Sequence, residues 1–198
     1  MNSAGGPRWW SRWTRGVTPK SCLYRLAPVL LATFSYAQAS KPTESQVKAA
    51  YLYNFGKFVT WPNDRGASEK FEICILGKDP FGSILDETVS GEQIDGKKIG
   101  VSRILKVQQA SACNILFVSL SEEGRLPFIV TESRRMHVLT VSDIPHFAER
   151  GGAIGLVNVQ ERIRFEVNRT VAEESHLGLS SELLKVAVKV IGGKAPGH

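Results

Sequence analysis

Asn114-Ile115-Leu116-Phe117-Val118-Ser119 is nearly continuous in apolar residues. A short run of this kind, without polar alternation, fits a strand covered on both faces, as in a parallel sheet. Upstream, Phe71-Glu72-Ile73-Cys74-Ile75-Leu76-Gly77 reads as a second strand. The spacing predicts a helix after it, capped by Asp79, with Pro80 in its first turn, running to about Val89. Ser90–Lys97 contains two glycines and reads as a turn, and Lys98–Val107 reads as a strand. Downstream, a helix over Glu122–Arg134 leads to a strand over Met136–Val141.

After Pro145–Arg150 and Gly151-Gly152, the segments Ala153–Val159 and Arg162–Asn168 read as a hairpin. In the second, Ile163, Phe165 and Val167 alternate with Arg162, Arg164 and Glu166, so one face is wet. Those charges either protect an edge strand from stray pairing or form a docking face. A last amphipathic helix is expected over Ser180–Ile191, carrying Leu183, Leu184, Ala187 and Val188. Before all of these, Ser45–Val59 reads as a helix. Thr43 and Gln46 are spaced as a capping box, and Val47, Ala50, Tyr51, Phe55 and Phe58 recur at helical spacing. Pro62 ends it, with Thr60, Trp61 and Asn63 around it. The fold class that follows is α/β: one layered domain, a mixed and mostly parallel sheet flanked by helices, with an antiparallel hairpin at one edge.

The first 39 residues read differently. Met1–Arg25 contains Arg8, Arg12, Arg15, Lys20 and Arg25 and no acidic residue. Leu26–Phe34 is an apolar run, shorter than the roughly 20 residues that span a bilayer. Ala37-Gln38-Ala39 is a small-x-small site, so residues 1–39 read as a secretory signal peptide cleaved between Ala39 and Ser40. The alternative is a retained anchor or leader. The remaining regions would be a domain over 40–191 and a flexible tail over 192–198. The full chain carries 25 Lys and Arg against 19 Asp and Glu; without the leader's five basic residues the balance is 20 against 19. The basicity therefore belongs to the leader, and nothing in the balance points to a nucleic-acid partner. Cys22 leaves with the leader, which leaves Cys74 and Cys113. In an oxidising compartment an even count allows a disulfide, and two buried free thiols fit equally well.

Catalytic and metal-binding patterns are missing. Gly77-Lys78-Asp79-Pro80-Phe81-Gly82 lies between a strand and a helix but lacks both phosphate-binding glycine spacings, so it reads as a capped turn. His137, His146, His176 and His198 show no i, i+4 pairing and no H-E-x-x-H, so no metal site is expected. Ser142-Asp143 with His146 is weak ground for a triad, and no catalytic or cofactor-binding residue is assigned. Tyr51, Tyr53, Phe55, Phe58 and Trp61 read as core packing on one face with Tyr53 and Trp61 at its margin, or as a partner-binding surface.

Taken in order, Ala49–Pro62, Phe71–Gly77 with Asp79–Gly82, Ala112–Ser119, Leu139–Asp143, Phe147–Gly152, Ile163–Asn168 and Leu177–Leu184 resemble the YfiR family of periplasmic proteins. The resemblance implies a periplasmic regulator rather than an enzyme. It implies inhibition of an inner-membrane diguanylate cyclase through the cyclase's periplasmic sensor region, which lowers cyclic di-GMP and biofilm formation. A histidine kinase is the other membrane partner considered. The resemblance further implies sequestration by an outer-membrane lipoprotein, homodimerisation, and a disulfide between Cys74 and Cys113. Family members can carry a second disulfide in the region corresponding to Ser142–Gly152, where this chain has no cysteine. A rival function is a periplasmic small-molecule-binding module, with its ligand at the carboxyl ends of the strands near Gly77–Phe81 and Ser119–Glu122.

The leader generates the first prediction. Cell fractionation should recover a periplasmic chain whose first residue is Ser40. An intact chain beginning at Met1 in the cytoplasm would refute export.

Overall fold

The computed structural model describes residues 41–62 and 69–193. The expected leader, its Ala39/Ser40 boundary and the tail from 194 onward lie outside the described residues. Helix α1 spans Glu44–Phe58. Its capping box is closed in both directions, Thr43 N–H donating to Gln46 Oε1 at 2.8 Å and Gln46 N–H to Thr43 Oγ1 at 3.3 Å. Strand β1 (Val59–Thr60) follows directly. Then come β2 (Lys70–Leu76), α2 (Ser83–Val89), β3 (Gln93–Ile94), β4 (Lys97–Ile104) and β5 (Ile115–Val118). The second half holds α3 (Leu126–Arg134), β6 (Leu139–Ser142), β7 (Ile154–Val159), β8 (Arg162–Asn168), α4 (Arg169–Glu174), β9 (Gly178–Leu179), α5 (Ser181–Val186) and β10 (Lys189–Ile191).

Eight strands form one sheet in the order β10-β8-β7-β6-β5-β2-β4-β3. The five strands β4-β2-β5-β6-β7 are parallel, with β5 at their centre. The chain crosses from β2 to β4 on one side and returns to β5 on the other, so strand order reverses between β2 and β5.

Side-chain alternation sorts this sheet into two cores. Ile73, Ile75, Ile115 and Phe117 pack with α1, α2 and α5 through Leu52, Phe55, Leu85 and Leu183. Cys74, Leu76, Leu116 and Val118 pack with α3 through Leu126, Ile129 and Val130. The double coverage expected of Asn114–Ser119 is what the structure contains. Gly56 sits where α1 crosses this layer. A Cβ there would overlap Ile94 Cδ1 and lie 3.1 Å from Phe71 Cζ, so a larger residue would force the Ile94 side chain to move.

Several expected elements take other forms. The last helix stops at Val186, and Lys189–Ile191 is a strand parallel to β8. Val186, Val188 and Val190 recur at a period of two and are β-branched, which favours the extended chain once the α5 core residue Leu183 has passed. Strand β10 therefore lies outside β8, and the hairpin is not at the edge of the sheet. Arg162 and Arg164 are exposed, in keeping with a wet face, and Glu166 is half-buried beside its β10 neighbour Lys189. The expected turn over Ser90–Lys97 contains β3. Asp95 and Gly96, both at positive φ, join it to β4 as a two-residue hairpin loop. β4 ends at Ile104, and a 3₁₀ turn occupies Val107–Ala112. The helix expected from Glu122 is a 3₁₀ turn over Leu120–Arg125, after which α3 starts afresh. Pro127, which has no N–H to donate, stands in its first turn. Asp79 does not cap α2. Its Oδ1 accepts from Phe81 N–H at 2.7 Å, an Asx turn ahead of the helix. β6 starts at Leu139, so His137 precedes the strand in a positive-φ turn.

The turn between β7 and β8 uses Gln160 and Glu161, with φ of 50° and 60°. Side chains with a Cβ pay about 1 kcal/mol or more for each such position. Replacing the pair by Asn-Gly should raise stability by about 1 kcal/mol in urea unfolding. A loss of stability would show that the two side chains themselves hold the hairpin.

Candidate docking surface

The last turn of α1 is clamped from three sides. β1 pairs antiparallel with β9, matching Val59 to Leu179 and Thr60 to Gly178. Ser180 N–H donates to the Phe58 carbonyl at 3.0 Å. Trp61 Nε1–H donates to the Asn114 carbonyl at 3.1 Å, and its ring meets Phe71 edge-on at 5.1 Å. Below this clamp, Tyr51, Phe55 and Phe165 form an aromatic triangle with centroids 5.1 to 5.6 Å apart. Tyr51 Oη–H reaches the Ile163 carbonyl at 3.1 Å, so the polar end of a half-buried ring is satisfied.

Between α1 and α5 this triangle floors a groove of about 360 Å³. Its walls include Asn54 and Phe58 on α1 and Glu182, Leu183 and Val186 on α5. Phe58 is 40% exposed and Val186 62% exposed, so the groove is rimmed by large apolar side chains. Phe58 is thus not the core residue that helical spacing predicts. It stands instead at the rim of the groove, with Val186 at the end of α5 among the other lining residues. Val190 is exposed on β10 and Val188 just before it, where Val188 N–H donates to the Phe165 carbonyl at 2.9 Å. Lys57 and Lys185 project from the same two helices and are exposed. The Lys57 ammonium lies 4.0 Å from the Tyr53 ring centroid. Tyr53 Oη–H in turn donates to Glu92.

The carboxyl edge of the parallel strands, where a small ligand would sit at the switch point, is filled by the chain itself. Gly77 has φ of 91°, and a Cβ there would lie 2.5 Å from Ser121 Oγ and 2.7 Å from Glu122 Cγ. Ser121 Oγ accepts from Lys78 N–H at 2.9 Å, and Ser119 N–H donates to the Leu76 carbonyl at 3.0 Å. The two loops are thus laced together across the crevice between β2 and β5. Ser142, Asp143 and His146 make no triad. The Ser142 hydroxyl donates to the Val118 carbonyl at 2.6 Å, and His146 faces Glu149 at 3.1 Å. Asp143 instead binds the buried Lys48 ammonium at 2.5 Å, and Glu44 lies on the same ammonium at 2.5 Å. The Sγ atoms of Cys74 and Cys113 are bonded, with Cα atoms 5.9 Å apart, tying β2 to the residue that precedes Asn114 and β5.

The family's sequence profile matches residues 45–188, under the description YfiR/HmsC-like. The chain belongs to the YfiR/HmsC-like family. That family is regulatory and works through protein–protein contact with a periplasmic sensor. No curated protein matches the chain. Among solved structures, a conserved domain protein of Vibrio cholerae O1 biovar eltor is similar, with a TM-score of 0.53 and 11% identity. The match covers 76% of this chain and 61% of that one. An ABC domain from Streptococcus pneumonia in complex with L-Trp gives a TM-score of 0.48 at 12% identity, over 74% and 60% of the two chains. This YfiR/HmsC-like chain thus spans about three fifths of each of those two structures, and the likeness to the Vibrio protein is one of fold. Among the described residues, no helix is long and apolar enough to cross a membrane.

Lys48 generates a prediction of its own. Burial pulls its ammonium toward deprotonation, but Asp143 and Glu44 outweigh that and hold its pKa above the usual lysine range. A raised folded pKa means the pair's contribution is complete below the unfolded lysine pKa and is lost as pH rises through the folded one. Stability should therefore fall in the alkaline range, above about pH 10.4. Lys48→Met should lower stability by about 3 kcal/mol at neutral pH, because it leaves Asp143 without its partner. It should also flatten that alkaline decline. An unchanged pH profile in the variant would contradict the assignment.

Proposed function

We propose that this chain is a periplasmic regulator that restrains an inner-membrane signalling enzyme by docking that enzyme's periplasmic sensor region into the α1–α5 groove. The enzyme favoured by the family is a diguanylate cyclase, so the output lowered is cyclic di-GMP and, through it, biofilm formation. The observation that carries the reading is Phe58. It is a large aromatic side chain left 40% exposed at the rim of an apolar groove. Exposed aromatics over a preformed pocket are the usual anchors of protein interfaces.

The occupant is an apolar-faced segment of the sensor region, selected by the groove's apolar walls. Inhibition requires the regulator to prefer the sensor's inactive state, since a ligand shifts an equilibrium only by its difference in affinity for the two states. Moving an enzyme from mostly active to mostly inactive takes a preference of about 5.5 kcal/mol. An outer-membrane lipoprotein that covered the same groove would relieve inhibition by competition. Export with cleavage after Ala39, and homodimerisation, belong to the same reading. The Cys74–Cys113 bond serves it as a structural staple.

Deletion of the gene should raise cellular cyclic di-GMP, and complementation with the wild-type chain should restore it. Phe58→Glu should fail to complement while melting within about 2 °C of wild type, since an exposed position carries little of the fold's stability. No rise on deletion would overturn the regulatory reading. Full complementation by Phe58→Glu would move the docking site elsewhere.

A further inference from the structure

His137 and His176 are remote in sequence and adjacent in the fold. Their rings meet edge-on with centroids 4.8 Å apart. Each lies in a tight connection rather than in a regular element. His137 is between α3 and β6, and His176 is between α4 and β9. Both have positive φ, 51° and 58°, so each imidazole is thrown from a left-handed turn. Each turn is anchored close by. Leu139 N–H binds the Asn114 carbonyl, His176 N–H the Glu173 carbonyl, and Leu177 N–H the Ala172 carbonyl. A second cross-link joins the same two segments, Arg134 to Glu174 at 3.3 Å.

The tautomer of His137 follows from its partner. Its Nδ1 lies 3.1 Å from the Ser175 carbonyl oxygen. A carbonyl only accepts, so Nδ1 carries the proton and Nε2 of the neutral ring keeps its lone pair. An imidazole whose Nδ1–H is held by a backbone carbonyl is the arrangement that orients metal-binding histidines. His176 is exposed and its ring lies edge-on to that of His137, with centroids 4.8 Å apart. Among the described residues no group of three or more His, Cys, Asp or Glu is placed to hold a metal. The pair therefore supplies two nitrogen ligands and leaves the other positions to water.

We propose that His137 and His176 form a two-imidazole site for a late first-row divalent cation, with copper(II) bound more tightly than zinc(II). Imidazole nitrogen suits both ions, and affinity for a given nitrogen site peaks at copper. The Arg134–Glu174 pair, which joins the same two segments, carries one charge of each sign. The same segment runs from His176 through Leu177 into β9, which clamps the end of α1.

The test is titration of the purified mature chain, free of any affinity tag, with copper(II) alone and with zinc(II) alone. Calorimetry reads the affinity and pulsed electron paramagnetic resonance counts the nitrogens on copper. One equivalent of copper with two equatorial imidazoles is expected. His176→Ala and His137→Gln should each weaken binding at least about tenfold, in line with the loss of one of two ligands. His146→Ala should bind as the wild type does. Because His176 is exposed, its variant should melt like the wild type without metal, which separates lost binding from lost folding. Binding that survives both substitutions, a single coordinated imidazole, or no copper taken up above that of the double variant would overturn the proposal.

Discussion

Everything in this molecule hangs on the burial of both faces of β2 and β5. Ile73 and Ile75 on one side, Cys74 and Leu76 on the other, are matched by Ile115 and Phe117 against Leu116 and Val118. Each such side chain contributes about 1.5–3 kcal/mol by leaving water. With no face left for solvent, the strands' backbone groups are paired by neighbours, which is why β6 and β4 flank them in parallel register. Helices must then cover both sides. α1, α2 and α5 take one, α3 the other, and the docking groove is the place where the first cover ends early.

That end decides the functional reading. α5 has six residues and ends at Val186, which lines the groove with Phe58, and the chain leaves it as β10 to close the sheet beyond the hairpin. The result is a rigid wall, clamped by β1–β9 pairing and by the Ser180–Phe58 hydrogen bond, with apolar side chains facing outward. A rigid groove loses little freedom on binding, so its contacts translate into affinity rather than into ordering. The opposite edge, where α/β domains ordinarily bind small molecules, is occupied by Ser121 and Glu122 against Gly77.

What could be read from the sequence was what depends on local pattern. The unbroken apolar run at Ile115–Val118 implied two covered faces, the Thr43–Gln46 spacing gave the start of α1, and the alternation over Arg162–Val167 gave a strand with a wet face. Residues whose fate depends on distant partners were not legible. Helical spacing groups Phe58 with Tyr51 and Phe55, and only the fold sets it at the rim of the groove with Val186. The valines at 186, 188 and 190 fit either an amphipathic helix or an extended strand, and the open side of β8 decides for the strand. His137 and His176 share no motif because their proximity arises only where the connections that follow α3 and α4 meet in the fold.

The central claim is that the α1–α5 face meets the partner and the carboxyl edge does not. Hydrogen exchange on this chain, alone and with the purified periplasmic region of the proposed cyclase partner, measures that directly. Added protection is expected at Asn54–Thr60 and at Glu182–Ile191, with residues 77–82 and 119–125 unchanged. Protection confined to residues 77–82 and 119–125 would contradict it.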